Sequence, residues 1–344
     1  METLLTSDGA PDPDAISIRD EASLTSARER VRKVSGETHV DAAVGARAAL
    51  VATELARNQL RHATRGLLAV RPLERPRLAE AGVHRGLEII AADCGNGIAD
   101  IRRALEGVAR TSGSLGVGLV MVRENSLEVD FDVREGEGTC VRARIFERSA
   151  PRRREVGVYG RPFPGESVSG DHGYFWRCED LLLAAVCDGL GHGPLARDAA
   201  NAAIRALRLQ TSTSPVELLE SCHRAMGPTR GAVMAITRVD ERASALETAS
   251  VGNIAVQLAA HRRAHRFGAS SAVLGARQPA MRVRSEMSMA ESTDVVIMMT
   301  DGIKTQLSLD EEAELLREHP IVIAWEIVSR FGRSNDDALV LVAR

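Results

Sequence analysis

The stretch LLLAAVCDGLGHG, Leu181–Gly193, determines the predicted fold of the second half of this chain. Its first seven residues are a continuous apolar run that turn-forming residues close. This pattern is typical of a buried strand, although a buried helix gives the same pattern. Asp188 would stand at the end of the strand, where its carboxylate can reach solvent or a metal ion. Gly189 and the glycines after it let the backbone approach whatever Asp188 holds. An Asp-Gly pair is also an ordinary turn signal, so both interpretations remain open here.

Length and composition restrict the class of protein. A chain of 344 residues is long enough for two domains, and 44% hydrophobic with 26% charged residues is typical of a soluble globular protein. A net charge of −3 and only 3% aromatic residues argue against nucleic-acid binding. No apolar run approaches the roughly 20 residues of a membrane span, and the N-terminus lacks a signal pattern. The five cysteines form no CxxC pair, which favours reduced thiols. We expect a cytoplasmic protein that binds neither nucleic acid nor a membrane.

The chain divides where its apolar pattern is interrupted. Residues 1–14 contain two prolines and three aspartates and are predicted to be a disordered tail. The segment ERSAPRRRE, Glu147–Glu155, has a proline and a run of arginines, so we predict a linker over residues 148–155. The predicted domains are therefore residues 15–147 and 156–344.

Three motifs of the first domain combine polar side chains with glycine turns. A long helix is predicted over Asp41–Thr64, which Gly66 could end; on it Glu54 and Asn58 are four residues apart and share one face. Such a row is also typical of a solvent-exposed helix face. A predicted strand, Gly86–Ala92, runs into Asp93-Cys94-Gly95-Asn96-Gly97-Ile98. Further on, GSLGVGL, which contains Gly116 and Gly118, opens onto a helix; free backbone N–H groups in such loops bind phosphate.

Together and in this order, ELARN (Glu54–Asn58), DCGNGI (Asp93–Ile98) and GSLGVGL (Gly113–Leu119) resemble the GHKL ATP-binding family, in particular its RsbT/RsbW serine-kinase branch. The resemblance implies an α/β sandwich with helices on one face of a mixed sheet, and ATP with Mg²⁺ as cofactor. It makes Asn58 the Mg²⁺ ligand, Glu54 the general base and Asp93 the partner of the adenine amino group. It also implies close approach to the nucleotide at four glycines: Gly95, Gly97, Gly116 and Gly118.

Acidic residues recur at predicted strand ends of the second domain. Asp171 follows Ser169-Gly170, a buried strand over Asp294–Thr300 ends in Asp301-Gly302, and Asp336 precedes the strand Ala338–Val342. Carboxylates and carbonyls suit Mg²⁺ or Mn²⁺, whereas the histidine and cysteine spacing of a zinc site is absent. A shared oxygen-ligand site is predicted, with a chance set of turns as the alternative.

Five motifs in order, SGD, DGLGHG, GN, TDG and NDD, resemble the SpoIIE-like branch of the metal-dependent PPM protein phosphatases, most closely the RsbX type. The resemblance implies an α-β-β-α sandwich and two Mn²⁺ or Mg²⁺ ions, so the whole chain is predicted to be an α+β protein of two domains. Asp188 would bridge the metals and supply the catalytic centre, with the Gly189 carbonyl completing one of them. The implied ligands of the other metal are Asp301 and Asp336, the latter preferred over Asp337 as the first acid of its pair, while Asp171 would hold a metal-bound water.

Two histidines flank these acids, His172 and His192, and either a general-acid role or a plain surface or supporting role fits them. No phosphate-binding arginine is identifiable by motif.

The predicted function is that of a bifunctional signalling regulator. The N-terminal domain would phosphorylate a serine or threonine of a STAS-domain antagonist or stressosome-type partner, and the C-terminal domain would dephosphorylate phosphoserine or phosphothreonine, in a partner-switching pathway that controls a sigma factor or stress response. The alternative is a phosphatase whose N-terminal domain only binds nucleotide and sequesters or gates a partner without phosphoryl transfer.

Overall fold

The computed structural model describes residues 4, 12–77, 82–107, 118–260, 263–275 and 281–344. The chain forms two compact units, Met1–Glu155 and Val156–Arg344. Within the described ranges, no helix combines the length and the apolar character that crossing a membrane requires. Gly116 and most of the predicted tail lie outside the described residues.

The first two helices of the first unit begin at acidic caps. Asp20 accepts a hydrogen bond from the Ser23 backbone N–H, and Asp41 accepts one from Ala43 N–H, which satisfies amide groups that a helix leaves unpaired. The sequence suggests that Gly66 could end the second helix, but that helix ends at His62 and Gly66 begins a strand. A Cβ at residue 66 would lie 2.7 Å from Gln59 Oε1. The described helices of this unit are α1 (Glu21–Glu37), α2 (Ala42–His62), α3 (Ile101–Glu106) and α4 (Gly118–Asn125).

The first unit's sheet contains β1, β2, β3, β5 and β4 in that order, and α1 and α2 pack against it. Every described pairing within it is antiparallel, where the sequence predicts a mixed sheet. Short connections allow only antiparallel pairing for the sequence neighbours β2–β3 and β4–β5, and the pairs β1–β2 and β3–β5, which longer segments join, are antiparallel as well. The strands are β1 (Ile16–Ile18), β2 (Gly66–Pro76), β3 (Val83–Asp93), β4 (Glu128–Arg134) and β5 (Gly138–Ile145).

The segment predicted as a linker is hydrogen-bonded to this sheet. The Arg153 backbone N–H donates to Glu128 Oε1 over 2.7 Å, and the Glu155 carboxylate accepts from Val129 N–H over 2.8 Å. Arg75 donates to the Pro151 carbonyl and also to Glu128. A carboxylate as buried as that of Glu128 needs such donors, because burying an unpaired charge is costly. These contacts hold the segment in the first unit.

The second unit is an α-β-β-α sandwich. One sheet has the order β13-β10-β9-β8-β7 and the other contains β6-β15-β14-β11-β12; α5 and α6 pack on the first, and α7 on the second. The strands are β6 (Val156–Arg161), β7 (Asp171–Cys178), β8 (Leu181–Gly189), β9 (Ala232–Asp240), β10 (Ala245–Val251), β11 (Ala255–Ala260), β12 (Arg263–Arg266), β13 (Ser285–Met289), β14 (Val295–Met299) and β15 (Ala338–Ala343), and the helices are α5 (Pro194–Arg208), α6 (Pro215–Ala225) and α7 (Pro320–Phe331).

Strand β8 is apolar along its length because both of its faces are buried. Leu182 and Val186 contribute to the core between the two sheets. Leu183 and Cys187 alternate with them and contribute to the core beneath α5 and α6. Alternation of side chains across a strand therefore leaves no polar position until the strand reaches Asp188.

Candidate active sites

The acidic site of the second unit begins with two facing aspartates. Asp171 is the first residue of β7 and is directly opposite Asp188 in the antiparallel register with β8. Asp171 is only 2% exposed. The register of one hairpin thus places two carboxylates side by side at one end of the sheet.

The other sheet contributes a hydroxyl group and a third aspartate. Thr300 follows β14, and its Oγ1 donates to Asp171 Oδ2 over 2.7 Å. The same oxygen accepts the Leu339 backbone N–H over 3.0 Å, so Thr300 is fixed from its own sheet. Its chain neighbour Asp301 is exposed. The site is therefore built at the edge where the two sheets of the sandwich meet.

Asp301 is oriented by the Gly-Asn motif. Asn253 Nδ2 donates to Asp301 Oδ2 over 2.7 Å. The preceding Gly252 has φ +86°, and a Cβ there would lie 2.1 Å from Val233 Cγ1. Both the positive φ and the contact with Val233 exclude a side chain at residue 252. Glycine therefore allows the turn that presents Asn253.

The two acids of the NDD motif have different environments. Asp337 is buried, and its two carboxylate oxygens accept backbone N–H groups from Phe163 over 2.7 Å and from Gly170 over 2.9 Å. Asp336 is half-buried. Because both Asp337 oxygens accept backbone N–H groups, this carboxylate holds the backbone next to Asp171. Asp336 is therefore the candidate metal ligand of the pair.

The aspartates of this site give it an excess of negative charge. Burial, followed by the charges of Asp301, Asp336 and Asp337, raises the pKa of Asp188 to about 8. Burial, and next the Asp188 charge, raises the pKa of Asp171 well above its usual value. The pKa of Asp336 is also raised, by burial and then by Asp301. Like charges at short distance favour the protonated forms, and a bound cation would reverse this effect.

The donor set fits hard divalent cations, since it consists of carboxylate oxygens with a neighbouring backbone carbonyl at Gly189. Among the described residues, no three carboxylate, imidazole or thiol groups converge closely enough to hold one ion. The candidate ligands are thus at one edge of the sandwich without forming a closed cage.

The two flanking histidines are in different surroundings. His172 is fully buried, and its Nδ1 is 3.2 Å from Asn201 Oδ1. It is on β7 next to Asp171, and successive side chains of a strand face opposite sides of the sheet. His192 lies on the exposed glycine turn that follows Asp188.

The first unit brings together the polar row of α2 and the first residue of α4. A Cβ on Gly118 would lie 3.3 Å from Asn58 Oδ1 and 3.5 Å from Glu54 Oε2. Glu54 is also ion-paired with Arg57, one turn away on the same helix. Arg57 belongs to the ELARN motif and precedes Asn58, so the motif itself supplies the partner of Glu54.

The Asp93 turn packs against the end of α2. Asp93 is the last residue of β3, and its Oδ1 accepts the Gly95 N–H over 2.8 Å. A Cβ on Gly95 would lie 2.8 Å from the His62 carbonyl; Gly97 has φ +74°, and its Cβ would lie 2.7 Å from the Arg134 carbonyl. Burial raises the pKa of Asp93. The close backbone contacts explain the glycines and place Asp93 near the helix that carries Asn58.

Sequence reasoning gave no role to Thr300 of TDG or Asn253 of GN, and it set Asp337 of NDD aside in favour of Asp336. Their supporting role was not predictable because each acts through a partner distant in sequence.

Comparisons with known proteins found a family model and relatives that this chain matches. A family model described as "Stage II sporulation protein E (SpoIIE)" matches residues 179–344. "Serine/threonine-protein kinase RsbT" of Bacillus subtilis (strain 168) is 35% identical over 132 residues, which cover 38% of this chain and 95% of RsbT. "Phosphoserine phosphatase RsbX" of the same organism is 36% identical over 99 residues, 28% of this chain and 49% of RsbX, so that match spans about half of the relative.

Solved structures match as well. One described as "The bacterial stressosome: a modular system that has been adapted to control secondary messenger signaling" has 34% identity and a TM-score of 0.52, and covers 56% of this chain and 100% of the matched one. The crystal structure of RsbX in complex with magnesium has 21% identity and a TM-score of 0.50, covers 57% of this chain and 96% of its own, and shows likeness of fold alone. The chain thus belongs to the RsbT family over 38% of its length, and residues 179–344 match the SpoIIE family model.

Proposed function

We propose that this chain is a bifunctional regulator whose C-terminal domain removes phosphate from phosphoserine or phosphothreonine in a partner protein and whose N-terminal domain phosphorylates a serine or threonine with ATP. The observation that carries the phosphatase half is the group of aspartates from both sheets around Asp188. The similarity to RsbX, a phosphoserine phosphatase, supports the choice of substrate.

Two Mg²⁺ or Mn²⁺ ions would be held by the carboxylates of Asp188, Asp301 and Asp336 and by the Gly189 carbonyl. Asp171 would hold a water coordinated to one of the ions. When bound, such ions lower the pKa of a coordinated water and neutralise charge that develops on the phosphoryl group. The protein's own contribution is orientation: Thr300 fixes the carboxylate of Asp171 and Asn253 fixes that of Asp301. Partners of this kind are part of a metal site, because they limit the ligands to one geometry.

The phosphatase half is tested by hydrolysis of 4-nitrophenyl phosphate with Mn²⁺, with Mg²⁺ and with chelator. We expect metal-dependent turnover that Asp188→Asn abolishes. The matched control is Asp198→Asn, which removes an exposed carboxylate on α5 and should keep the wild-type rate. Turnover that persists in Asp188→Asn would refute the proposed site.

The kinase half is supported by the position of Gly118 beside Glu54 and Asn58 and by the nearby Asp93 turn. Asn58 would bind Mg²⁺ of the nucleotide and Glu54 would take the proton of the substrate hydroxyl, while Asp93 would bind the adenine amino group. Phosphoryl transfer depends mostly on such positioning and on charge neutralisation. The partner we propose is a STAS-domain antagonist or stressosome-type protein, a choice that RsbT and the stressosome structure support.

The ion pair between Glu54 and Arg57 favours a second candidate, a domain that binds nucleotide without transferring phosphate. Arg57 already occupies a carboxylate oxygen of Glu54, which a general base would have to turn toward the substrate hydroxyl. Transfer of labelled γ-phosphate to a STAS-domain protein, lost in Glu54→Gln with nucleotide affinity retained, would establish the kinase. Nucleotide binding with no transfer would establish the second candidate. A change in ester hydrolysis when ATP is added to the full chain would identify gating.

A further inference from the structure

Two leucines are exposed beside the acidic site of the second unit. Leu190 is 40% exposed and Leu195 is 53% exposed. Leu190 follows the last residue of β8, and Leu195 is the second residue of α5. A single exposed leucine is common on a protein surface, but these two lie within seven residues of Asp188. The end of the sandwich that carries the candidate metal ligands thus also presents apolar side chains to solvent.

Packing at the start of α5 fixes Leu195 near those ligands. The next residue of the helix, Ala196, is fully buried. A Cβ on Gly170 would lie 2.7 Å from the Ala196 Cβ, and a Cβ on Gly189 would lie 2.0 Å from the Ala196 carbonyl oxygen. Each of these glycines adjoins an aspartate of the acidic site, so the first turn of α5 lies directly against it. Ala196 makes this contact, whereas the Leu195 side chain remains more than half exposed.

The loop before β9 fixes Leu190 and adds a positive charge. The Leu190 backbone N–H donates to the Gly231 carbonyl over 3.1 Å. The residue before Gly231 is Arg230, which is exposed, and a Cβ on Gly191 would lie 3.2 Å from Arg230 Nη1. Among the residues that the structure describes, Arg230 has no ion-pair partner. An uncompensated guanidinium therefore lies beside the same glycine turn as the two leucines.

This combination of charge and apolar surface fits one kind of occupant, the phosphoserine-bearing segment of a partner protein. A segment that brings its phosphate to Asp188 comes close to the turn that follows this residue. A phosphoserine carries a charge of about −2 at pH 7, which complements a guanidinium. Acidic side chains next to the phosphoserine would be repelled by the aspartates of the site, whereas apolar ones could be buried against the leucines.

We propose that Leu190 and Leu195 form a docking surface for the protein substrate, which selects a phosphoserine flanked by apolar side chains. The proposal rests on the proposed phosphatase function and adds to it the class of sequence around the phosphoresidue. The metal ligands act on the phosphate alone, which every phosphoserine shares. The leucines act on parts of the substrate that do not react, and such contacts discriminate between substrates by binding energy.

The test compares three substrates with the full chain saturated with Mn²⁺. They are 4-nitrophenyl phosphate and two end-capped tripeptides, Ala-phosphoserine-Ala and Leu-phosphoserine-Leu. We expect the wild type to have a roughly tenfold lower KM for the leucine peptide than for the alanine peptide, a usual magnitude for a hydrophobic contact. In the double variant Leu190→Ala with Leu195→Ala, the two peptides should have similar KM values. Its kcat values and its KM for 4-nitrophenyl phosphate should change far less.

The chain offers a matched control on the same helix. Leu209 is 69% exposed and follows the last residue of α5. At a rise of 1.5 Å per residue, it lies about 20 Å from Leu195 along the helix axis. Leu209→Ala removes an exposed leucine far from the acidic site and should keep the wild-type preference for the leucine peptide. Mn²⁺ affinity, measured by calorimetry, should be the same in the control and in the double variant, because neither change removes a candidate metal ligand.

A wild type that hydrolyses both peptides with equal KM values would overturn the docking surface. So would a preference for the leucine peptide that the double variant keeps, or a rise in KM that is as large for 4-nitrophenyl phosphate as for the leucine peptide. A wild type that binds Mn²⁺ but hydrolyses none of the three substrates would refute the phosphatase function itself, and the docking surface with it. The two failures are distinguishable because only the second abolishes turnover by the wild type.

Discussion

Thr300 Oγ1 donates a hydrogen bond of 2.7 Å to Asp171 Oδ2, which joins the carboxylate on one sheet of the sandwich to the strand end of the other. Because the same oxygen accepts the Leu339 N–H, the hydroxyl is held on both sides and orients Asp171.

Thr300→Val removes this hydroxyl at nearly constant volume. We expect a loss of about 10–100-fold in Mn²⁺ affinity or in metal-dependent turnover, the usual cost of losing a group that orients a metal ligand. Isothermal titration with Mn²⁺ and ester hydrolysis measure it. Thr300→Ser keeps the donor and should stay near the wild type; an equal loss in both variants would argue against orientation by the hydroxyl.

Asp188→Asn should stabilise the metal-free protein. The pKa of Asp188 is raised to about 8 in the folded protein, whereas its pKa in the unfolded chain is near 4. The contribution of this group to the free energy of unfolding is therefore fully present below pH 4 and is lost as the pH rises through 8. We therefore expect the midpoint of thermal unfolding of the wild type in chelator to fall between pH 5 and 8, and the variant to fall less. A higher midpoint for the wild type at pH 8 in chelator would contradict this. Added Mn²⁺ should reverse the order, since it stabilises only the protein that binds it.

Metal binding should release protons at pH 6.5 and release far fewer at pH 9. Because the pKa of Asp188 is raised to about 8, a cation must displace its proton below that pH, and the raised pKa of Asp171 adds to the protons displaced. Calorimetry of Mn²⁺ binding in two buffers with different ionisation heats gives the number released. Affinity should therefore increase with pH up to about 8. Buffer-independent heats at pH 6.5 would contradict the shared-charge description of the site.

Gly302→Ala should destabilise the second unit. A Cβ on Gly302 would lie 1.8 Å from the Asp337 carbonyl oxygen, so one of two backbone segments must move. Overpacking of this kind costs about 1–3 kcal/mol, and about 1 kcal/mol lowers the unfolding midpoint by roughly 2–4 °C in a domain of this size. Gly227→Ala is the matched control, because nothing lies within 4 Å of the added Cβ. Equal midpoints for the two variants would refute the contact.

Much of the fold was predictable from local patterns. The apolar run that ends at Asp188 predicted a buried strand, and β8 is buried on both faces. The Asp-Gly turn signal placed the end of this strand before Asp188, whereas β8 continues to Gly189. The length of the strand depends on its pairing with β7 and β9, which the local sequence does not show. The mixed sheet expected from resemblance is antiparallel at its described pairings; short connections explain this for β2–β3 and β4–β5, whereas β1–β2 and β3–β5 pair across longer segments.

The sequence by itself determined which residue types could perform chemistry: acids at strand ends beside glycines, and a Glu-Asn row on one helix face. These signals are local, since they depend on strand and helix periodicity and on the conformational freedom of glycine. Only the tertiary structure decided which acids act on one another. Asp171 meets Asp188 through register, and Asp337 rather than Asp336 receives two backbone N–H groups, because packing of two sheets brings together residues that are far apart along the chain.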